Sequence, residues 1–548
     1  MSDVAPADVR IAGGTVIDGT GAEGFAADVE VVGDRLRVVR GAAGEGGSPD
    51  GAASTGSLAA TVIDASGLVV APGFIDLHSH SGLMLFADPR HEPKVRQGVT
   101  TELIGVDGNS YAPFPRPEDL EAFVELNAGL DGDARWTNPG MTYDWDTVAG
   151  HLGRLDGAVA VNVAYVVGNS ALRASVVGWD ERPATQNEVA SMRAMLREGL
   201  EQGAFGVSSG LDYPPGSYAD TAELVALTEE SGRHAGMYHT HVRYQLGDRY
   251  LDPFREAIEI GRRASAAAHI THFYHRTSYP GGPEPMLELV ESARAEGLDV
   301  TFDSYPYEWS STRLLIELPG WVQSGGPGPL RERLRDAATR ARIADEVRAR
   351  WANAGLDVPA DIRLGNFRAP DRRRWEGVTL ASVAREMGVE PAHAMLELLR
   401  MEGLHVNEVR SGPSAATLPS FVAHPVGMVG TDSVFVGDKP SPRTYGSYPR
   451  ILGEFVRDRV LLSLPEAIRK MTSAPAARLG ITDRGVLRDG AFADLALFDP
   501  QRVRTLATYD EPKAFPEGIE HVFVNGRHVV DRGRHTGALP GRALRRGS

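Results

Sequence analysis

Apolar and polar residues alternate along residues 8–40, in Val9-Arg10-Ile11, Thr15-Val16-Ile17, Val29-Glu30-Val31 and Leu36-Arg37-Val38. Period-two alternation broken by turn residues predicts short antiparallel strands. Residues 41–60 are mostly Gly, Ala and Ser and predict a mobile loop, and strand character returns over 61–71. At the far end, Ala493–Phe498 and Val522–Arg527 read as strands, with a hairpin turn between Val524 and His528. Neither end has enough chain to bury a sheet alone, so one small β-sandwich built from both termini is expected, from residues 1–70 and 481–548.

The middle, residues 71–480, has a different rhythm. Eight short apolar runs stand at Phe74–His78, Thr101–Gly105, Val159–Val163, Phe205–Ser208, Met237–His241, Ala267–His272, Val300–Asp303 and Gly427–Asp432. Helical periodicity separates most of them, over 187–202, 221–233, 253–264, 284–296 and 378–400. Buried strands alternating with amphipathic helices predict an α/β fold, a (β/α)8 TIM-like barrel with its chemistry at the C-terminal strand ends. The gap after the seventh run is too long for one crossover, so an insertion over about 309–377 is expected above the barrel mouth.

Polar residues fall at those strand ends. His78 and His80 close the first run, His239 and His241 the fifth, His269 and His272 the sixth, and Asp432 the eighth. Residues two apart on a strand face one way, so each His-x-His pair can chelate one ion. Imidazole and carboxylate suit zinc or a similar divalent ion, and Asp432 is positioned as ligand and general base together. Scattered histidines in a chain that has 16 are the dull alternative, but their coincidence at four strand ends argues against it.

Composition trims the list of activities. The chain has no cysteine, which excludes disulfides, thiolate metal ligands and thiol nucleophiles. A net charge of −16 argues against nucleic acid as a partner. No apolar run is long enough to span a membrane and no secretory signal opens the chain, so a cytoplasmic protein without membrane partners is expected. Lysine occurs only at positions 94, 439, 470 and 513, so the fourth strand has none. Ser208-Ser209-Gly210 lacks the G-x-S-x-G elbow and reads as structural.

Pro72-Gly73-Phe74-Ile75-Asp76-Leu77-His78-Ser79-His80 resembles the signature of the amidohydrolase superfamily. Gln97–Thr101, Ser209–Gly216, His239–Arg243, Tyr305-Pro306-Tyr307, Pro442–Arg450, Met471–Ala476 and Ala493–Pro500 extend the resemblance to the N-acyl-D-amino-acid deacylase (D-aminoacylase) branch over essentially the whole chain. The resemblance implies a metal-dependent amidase with His78, His80, His241, His272 and Asp432 as ligands and His239 and His269 as neighbours. The cofactor it implies is Zn2+, as one or two ions, with Mn2+ or Co2+ as alternatives. Asp432 would take a proton from water and return it to the leaving nitrogen. Two positions depart from the family pattern. Asp107 stands where the family has a metal-binding cysteine, and can act as ligand or as a turn residue before Gly108. Tyr274 stands where the family has a lysine that holds the substrate carboxylate. Arg443 survives to hold it, and Tyr305 and Tyr307 are candidate donors to the substrate. A carboxylate-bearing small molecule is therefore the expected partner, and homo-oligomerisation is left open. The alternatives are hydrolysis of a cyclic amide, carbamate, ester or peptide-like compound, or a non-catalytic barrel homologue that has lost its ligands.

Overall fold

The computed structural model describes residues 6–40, 59–244, 249–354 and 357–547. Most of the stretch 41–60, expected as a loop, lies outside the described residues.

Strands from both ends of the chain join in one nine-stranded sheet. Val9–Val16 pairs antiparallel with Phe25–Val32 and parallel with both Thr61–Asp64 and Val69–Pro72. Val69–Pro72 in turn pairs antiparallel with Leu495–Phe498, which pairs with Ile519–Val524. The period-two pattern explains how this sheet serves two cores. Val70, Leu495 and Leu497 pack with Ile11, Val29 and Phe523 on one face. Val69, Ala71, Ala496 and Phe498 point the other way and pack with Phe74 and Val99 of the barrel. The strand Val69–Pro72 runs almost directly into the first barrel strand, Phe74–Asp76, so sheet and barrel share a rigid junction.

Eight parallel strand positions surround the barrel. Phe74–Asp76, Val99–Ile104 and Asn162–Tyr165 form one arc. Val167–Gly168, Gly206–Gly210, Met237–His241, Ala268–Ile270, Val300–Ser304 and Gly427–Val429 form the other. The arcs meet at Val166, between two strands that follow one another in sequence and together make the third position. At the opposite seam the first and eighth strands meet through a parallel bridge, Ser79 to Ser433, and the Asp432 N–H donates to the His78 carbonyl at 2.9 Å. The third strand begins three residues later than the apolar run predicts. Val159, ahead of the strand, pairs with Gly541 of the C-terminal segment, and Val163 within it also bonds to Arg542. Gly541 lies so close that a Cβ there would sit 2.0 Å from the Val161 carbonyl.

The helices follow from their sequences. Gln186–Glu201 starts at a capping box between Thr185 and Glu188, and it buries Met192, Leu196, Gly199 and Leu200 along one stripe. The insertion has its own core and a three-stranded antiparallel sheet of Trp309–Arg313, Asn407–Ser411 and Arg363–Gly365. That core runs on past residue 377. Leu380, Val383, Met395, Leu398 and Leu399, on stretches that read as barrel helix, pack with Leu314, Val347 and Ile362. Amphipathic periodicity is the same whichever core receives the apolar stripe, so it could not mark this boundary. No described helix is long and apolar enough to cross a membrane.

Candidate metal centre and active-site cavity

The loop after the second strand, Gly105-Val106-Asp107-Gly108, dips into the barrel mouth. It packs so tightly that a Cβ at Gly210 would meet the Asp107 carbonyl at 1.9 Å. Asp107 has φ +52°, and two other candidate ligands share the left-handed region, His272 at +32° and Asp432 at +47°. Such backbone costs on the order of 1–3 kcal/mol per residue and persists where packing imposes it, commonly at functional sites.

The Asp107 carboxylate is at the centre of the constellation. Its Oδ2 is 3.4 Å from His78 Nε2, 3.6 Å from His80 Nε2, 3.3 Å from His241 Nδ1 and 3.4 Å from His272 Nε2. Asp432 Oδ1 lies 3.5 Å from His78 Nε2 and 3.3 Å from His80 Nε2. All six side chains are buried. They form two donor sets that share Asp107, one with His78, His80 and Asp432, the other with His241 and His272. The side chain of Asp107 thus faces ring nitrogens instead of serving the turn before Gly108.

Each of the four histidines has its second ring nitrogen held from behind. His78 Nδ1 is 3.4 Å from Asp303 and His80 Nδ1 is 2.8 Å from Asp131. His241 Nε2 is 3.1 Å from Asp212, and His272 Nδ1 is 2.7 Å from the Tyr244 hydroxyl. A partner on the outer nitrogen fixes the tautomer and turns the other lone pair inward, as metal-binding imidazoles require. Two facts fit the donors to divalent cations. His78 Nε2 is buried with no hydrogen-bond partner. His241 Nδ1 and His272 Nε2 point at each other across 2.9 Å. A shared carboxylate can bridge two ions.

The electrostatics agree. Burial opposes ionisation of Asp107, but His78, His241 and His272 hold its carboxyl well below the usual carboxylate range. Burial also opposes charge on His78, yet Asp107, Asp303 and Asp432 push it up to about 10. Asp432 is likewise buried but is held at about 2 by Arg443 and His78, so it is ionised.

The remaining expected residues divide. His239 and His269 lie behind the centre. His269 Nε2 is 3.0 Å from Asp303 Oδ2, and His239 Nε2 faces the Leu77 carbonyl at 3.0 Å. A cavity of about 410 Å³ opens above the centre, lined by Asp107, Asp432, Tyr274 and Tyr305 together with residues of the insertion. Tyr307 is turned away, with its hydroxyl 3.2 Å from Thr505. Arg443 is fully buried off the cavity wall, beneath the Tyr305 ring and 2.8 Å from Asp432 Oδ2. Ser208 and Ser209 are structural, bonded to the Gly105 carbonyl and to Tyr238 and Thr240. Sequence reasoning missed Asp131, Asp212, Asp303 and Tyr244. Asp303 had a signal, since it stands at the end of the seventh strand much as Asp432 follows the eighth.

A model of the amidohydrolase family matches residues 61–530. The chain is 34% identical to the D-aminoacylase of Alcaligenes xylosoxydans xylosoxydans, over 100% of this chain and 99% of that one. It is similar in structure to a D-aminoacylase with a binuclear metal centre, with TM-score 0.80, 30% identity, and 99% and 100% of the two chains covered. It is also similar to the N-acyl-D-glutamate deacylase of Bordetella bronchiseptica in complex with zinc and a phosphonate mimic of the tetrahedral intermediate, with TM-score 0.79, 31% identity, and 99% and 100% covered.

Proposed function

This chain belongs to the amidohydrolase family, and from that premise we propose that it is a deacylase of N-acyl-D-amino acids. Its reaction class is metal-dependent hydrolysis of a carbon–nitrogen amide bond. The observation that carries the reading is the Asp107 carboxylate set among four oriented histidines, next to an ionised Asp432, on the floor of a cavity of substrate size.

His78, His80, Asp107, His241, His272 and Asp432 are the proposed ligands, for one or two ions. A divalent ion held there supplies Lewis acidity, polarising a carbonyl and making water nucleophilic near neutral pH. Zinc is the reference, and the hard oxygen of Asp107 in place of a thiolate widens acceptance towards manganese or cobalt. Asp432 is the general base and acid. Arg443 holds its Oδ2 and keeps the carboxylate ionised, while Oδ1 is turned towards the histidines, where it can serve as ligand, take the proton from the attacking water and pass it to the leaving nitrogen. The Tyr305 hydroxyl is buried without a partner in a residue that lines the cavity. It is the proposed donor to the developing oxyanion. Tyr274 supplies wall, and Tyr307 packs with Tyr274 and Tyr305 from outside the cavity. Ile316, Leu318, Trp351 and Val358 give the far wall an apolar character suited to an acyl chain or an apolar amino-acid side chain.

A cyclic amide, carbamate, ester or peptide-like substrate is the second reading. It is favoured by Tyr274, which puts an aromatic ring where the resemblance calls for a cation.

The test is turnover of N-acetyl amino acids of both configurations, beside a cyclic amide, by protein whose metal content is measured. D-configured acyl amino acids should be hydrolysed, chelation should abolish the activity, and zinc, manganese or cobalt should restore it. A metal-loaded enzyme that turns over none of them would sink the deacylase reading.

A further inference from the structure

The terminal sheet carries a convergent donor set of its own, on the hairpin formed by Ile519–Val524 and Arg527–Asp531. Asn525 and Gly526, at φ +48° and +77°, make the tight turn between the strands. Across the hairpin His521 pairs with Asp531, and Phe523 with His528. Residues two apart on a strand share a face, and so do residues directly opposite each other, so His521, His528 and Asp531 all project from one face. His528 and Asp531 are three apart, and in a regular strand they would point to opposite sides. The register shift between Val522 and Phe523 puts an extra residue, Val529, into the second strand and brings the two round together.

The donor atoms meet at one point. His521 Nδ1 lies 3.1 Å from His528 Nε2 and 3.3 Å from Asp531 Oδ1, and His528 Nε2 lies 4.0 Å from the same oxygen. These spacings straddle the about 3.3–3.6 Å that separates ligands bound at about 2.0–2.2 Å to a tetrahedral zinc ion. A proton on His521 Nδ1 can be donated to His528 or to Asp531 but serves both poorly, whereas a cation accepts all three lone pairs at once. The rings are braced. His528 lies flat on Phe523, with ring centres 4.4 Å apart and planes within 3°, and Phe523 is anchored in the sandwich core. His521 is buried, His528 half-buried and Asp531 exposed, which leaves an ion a path from solvent. None of the three lines the barrel-mouth cavity. We propose that His521, His528 and Asp531 form a separate, non-catalytic site for a divalent transition-metal ion such as zinc, bridging the two strands of the C-terminal hairpin. Two imidazoles and one carboxylate favour zinc over magnesium or calcium, which take oxygen ligands in larger number. Three protein ligands leave a position for water, so the ion is exchangeable. The inference is independent of the deacylase reading.

The experiment dialyses full-length wild-type protein, His528→Gln and Asp531→Asn against excess zinc and counts the zinc bound per chain. Each variant should bind one zinc fewer than wild type while the barrel-mouth centre keeps its own metal, so that kcat/KM on any substrate the wild type hydrolyses stays within about 2-fold. Circular dichroism identifies a variant that has misfolded, and the folded one then decides alone. Wild-type zinc content in any folded variant overturns the proposal and leaves the three residues as a hydrogen-bonded cluster. Anomalous scattering from zinc-soaked wild-type crystals gives a check that needs no variant. A peak among His521, His528 and Asp531 is expected, and peaks confined to the barrel mouth would overturn the site.

Discussion

Arg443 Nη2 lies 2.8 Å from Asp432 Oδ2, on the opposite side of the carboxylate from the oxygen that faces His78 and His80. The pair is buried, and Arg443 heads the helix Arg443–Arg450 that follows the eighth strand. Arg443 is thus engaged by Asp432 in this structure, and we expect it to act through that carboxylate. Its removal should leave substrate binding largely intact and impair proton transfer. We expect Arg443→Met to lower kcat by about 10- to 100-fold, the worth of one buried charge-assisted hydrogen bond, with KM within about 3-fold of wild type. Steady-state kinetics on metal-loaded protein would check this, and a variant with normal kcat but greatly raised KM would return Arg443 to the carboxylate.

Asp107 gives the second prediction. Its Oδ2 is the common neighbour of four histidines, so both donor sets depend on it. Asp107→Asn keeps the shape and any turn propensity but removes the charge. Metal content should fall and kcat/KM should drop at least about 100-fold, since an amide neither bridges two cations nor balances their charge. Full metal occupancy and activity in Asp107→Asn would reduce Asp107 to a turn residue.

Much of this site was legible in the chain because its histidines sit on strands. His78 and His80, and His239 and His241, are two apart at the ends of apolar runs, and strand geometry alone puts each pair on one face. Asp107 was visible only as a departure from the family pattern, since Gly108 after it reads equally as a turn. The residues that orient the histidines were not legible. Asp131, Asp212 and Tyr244 lie in irregular segments with no periodicity, and what brings them to His80, His241 and His272 is tertiary packing. The placements of Arg443 and Tyr307 were not legible for a similar reason. A conserved-looking motif gives the residue type but not its direction, and only the packing of Tyr305 on Arg443 and of Tyr307 near Thr505 decides which of them meets the cavity.

The aspartate behind the centre gives the third prediction. Asp303 contacts His78 Nδ1 at 3.4 Å and His269 Nε2 at 3.0 Å, and accepts the His272 N–H at 2.9 Å. It touches two proposed ligands while lying outside both donor sets. Asp303→Asn should weaken metal affinity by about 10- to 100-fold, the usual effect of losing a partner that orients a ligand. Competition with a chelator of known affinity would measure it. Excess metal should restore most of the activity, which separates a positioning residue from one that takes part in the reaction. Unchanged affinity would mean that packing alone orients His78.

The fourth prediction concerns stability in acid and is independent of the metal. His151 is fully buried in the helix Val148–Gly153, among the rings of Trp145, Tyr165 and Phe86, and neither ring nitrogen has a hydrogen-bond partner. Burial pushes its pKa down from 6.5 to about 3. The folded protein therefore keeps His151 neutral at pH values where the unfolded chain protonates it. Between pH 6.5 and about 3 the unfolded state binds the extra proton, so stability present above pH 6.5 is lost progressively as the pH falls through this window. A shift of this size corresponds to about 4–5 kcal/mol across the full window. His151→Phe fills the aromatic cage without a titratable group. It should flatten the pH dependence of the urea midpoint between pH 6.5 and 4 relative to wild type, whatever its effect at pH 8. If the two proteins lose stability in parallel over that range, His151 is not charged on acid unfolding and the buried neutral imidazole is not a source of acid lability.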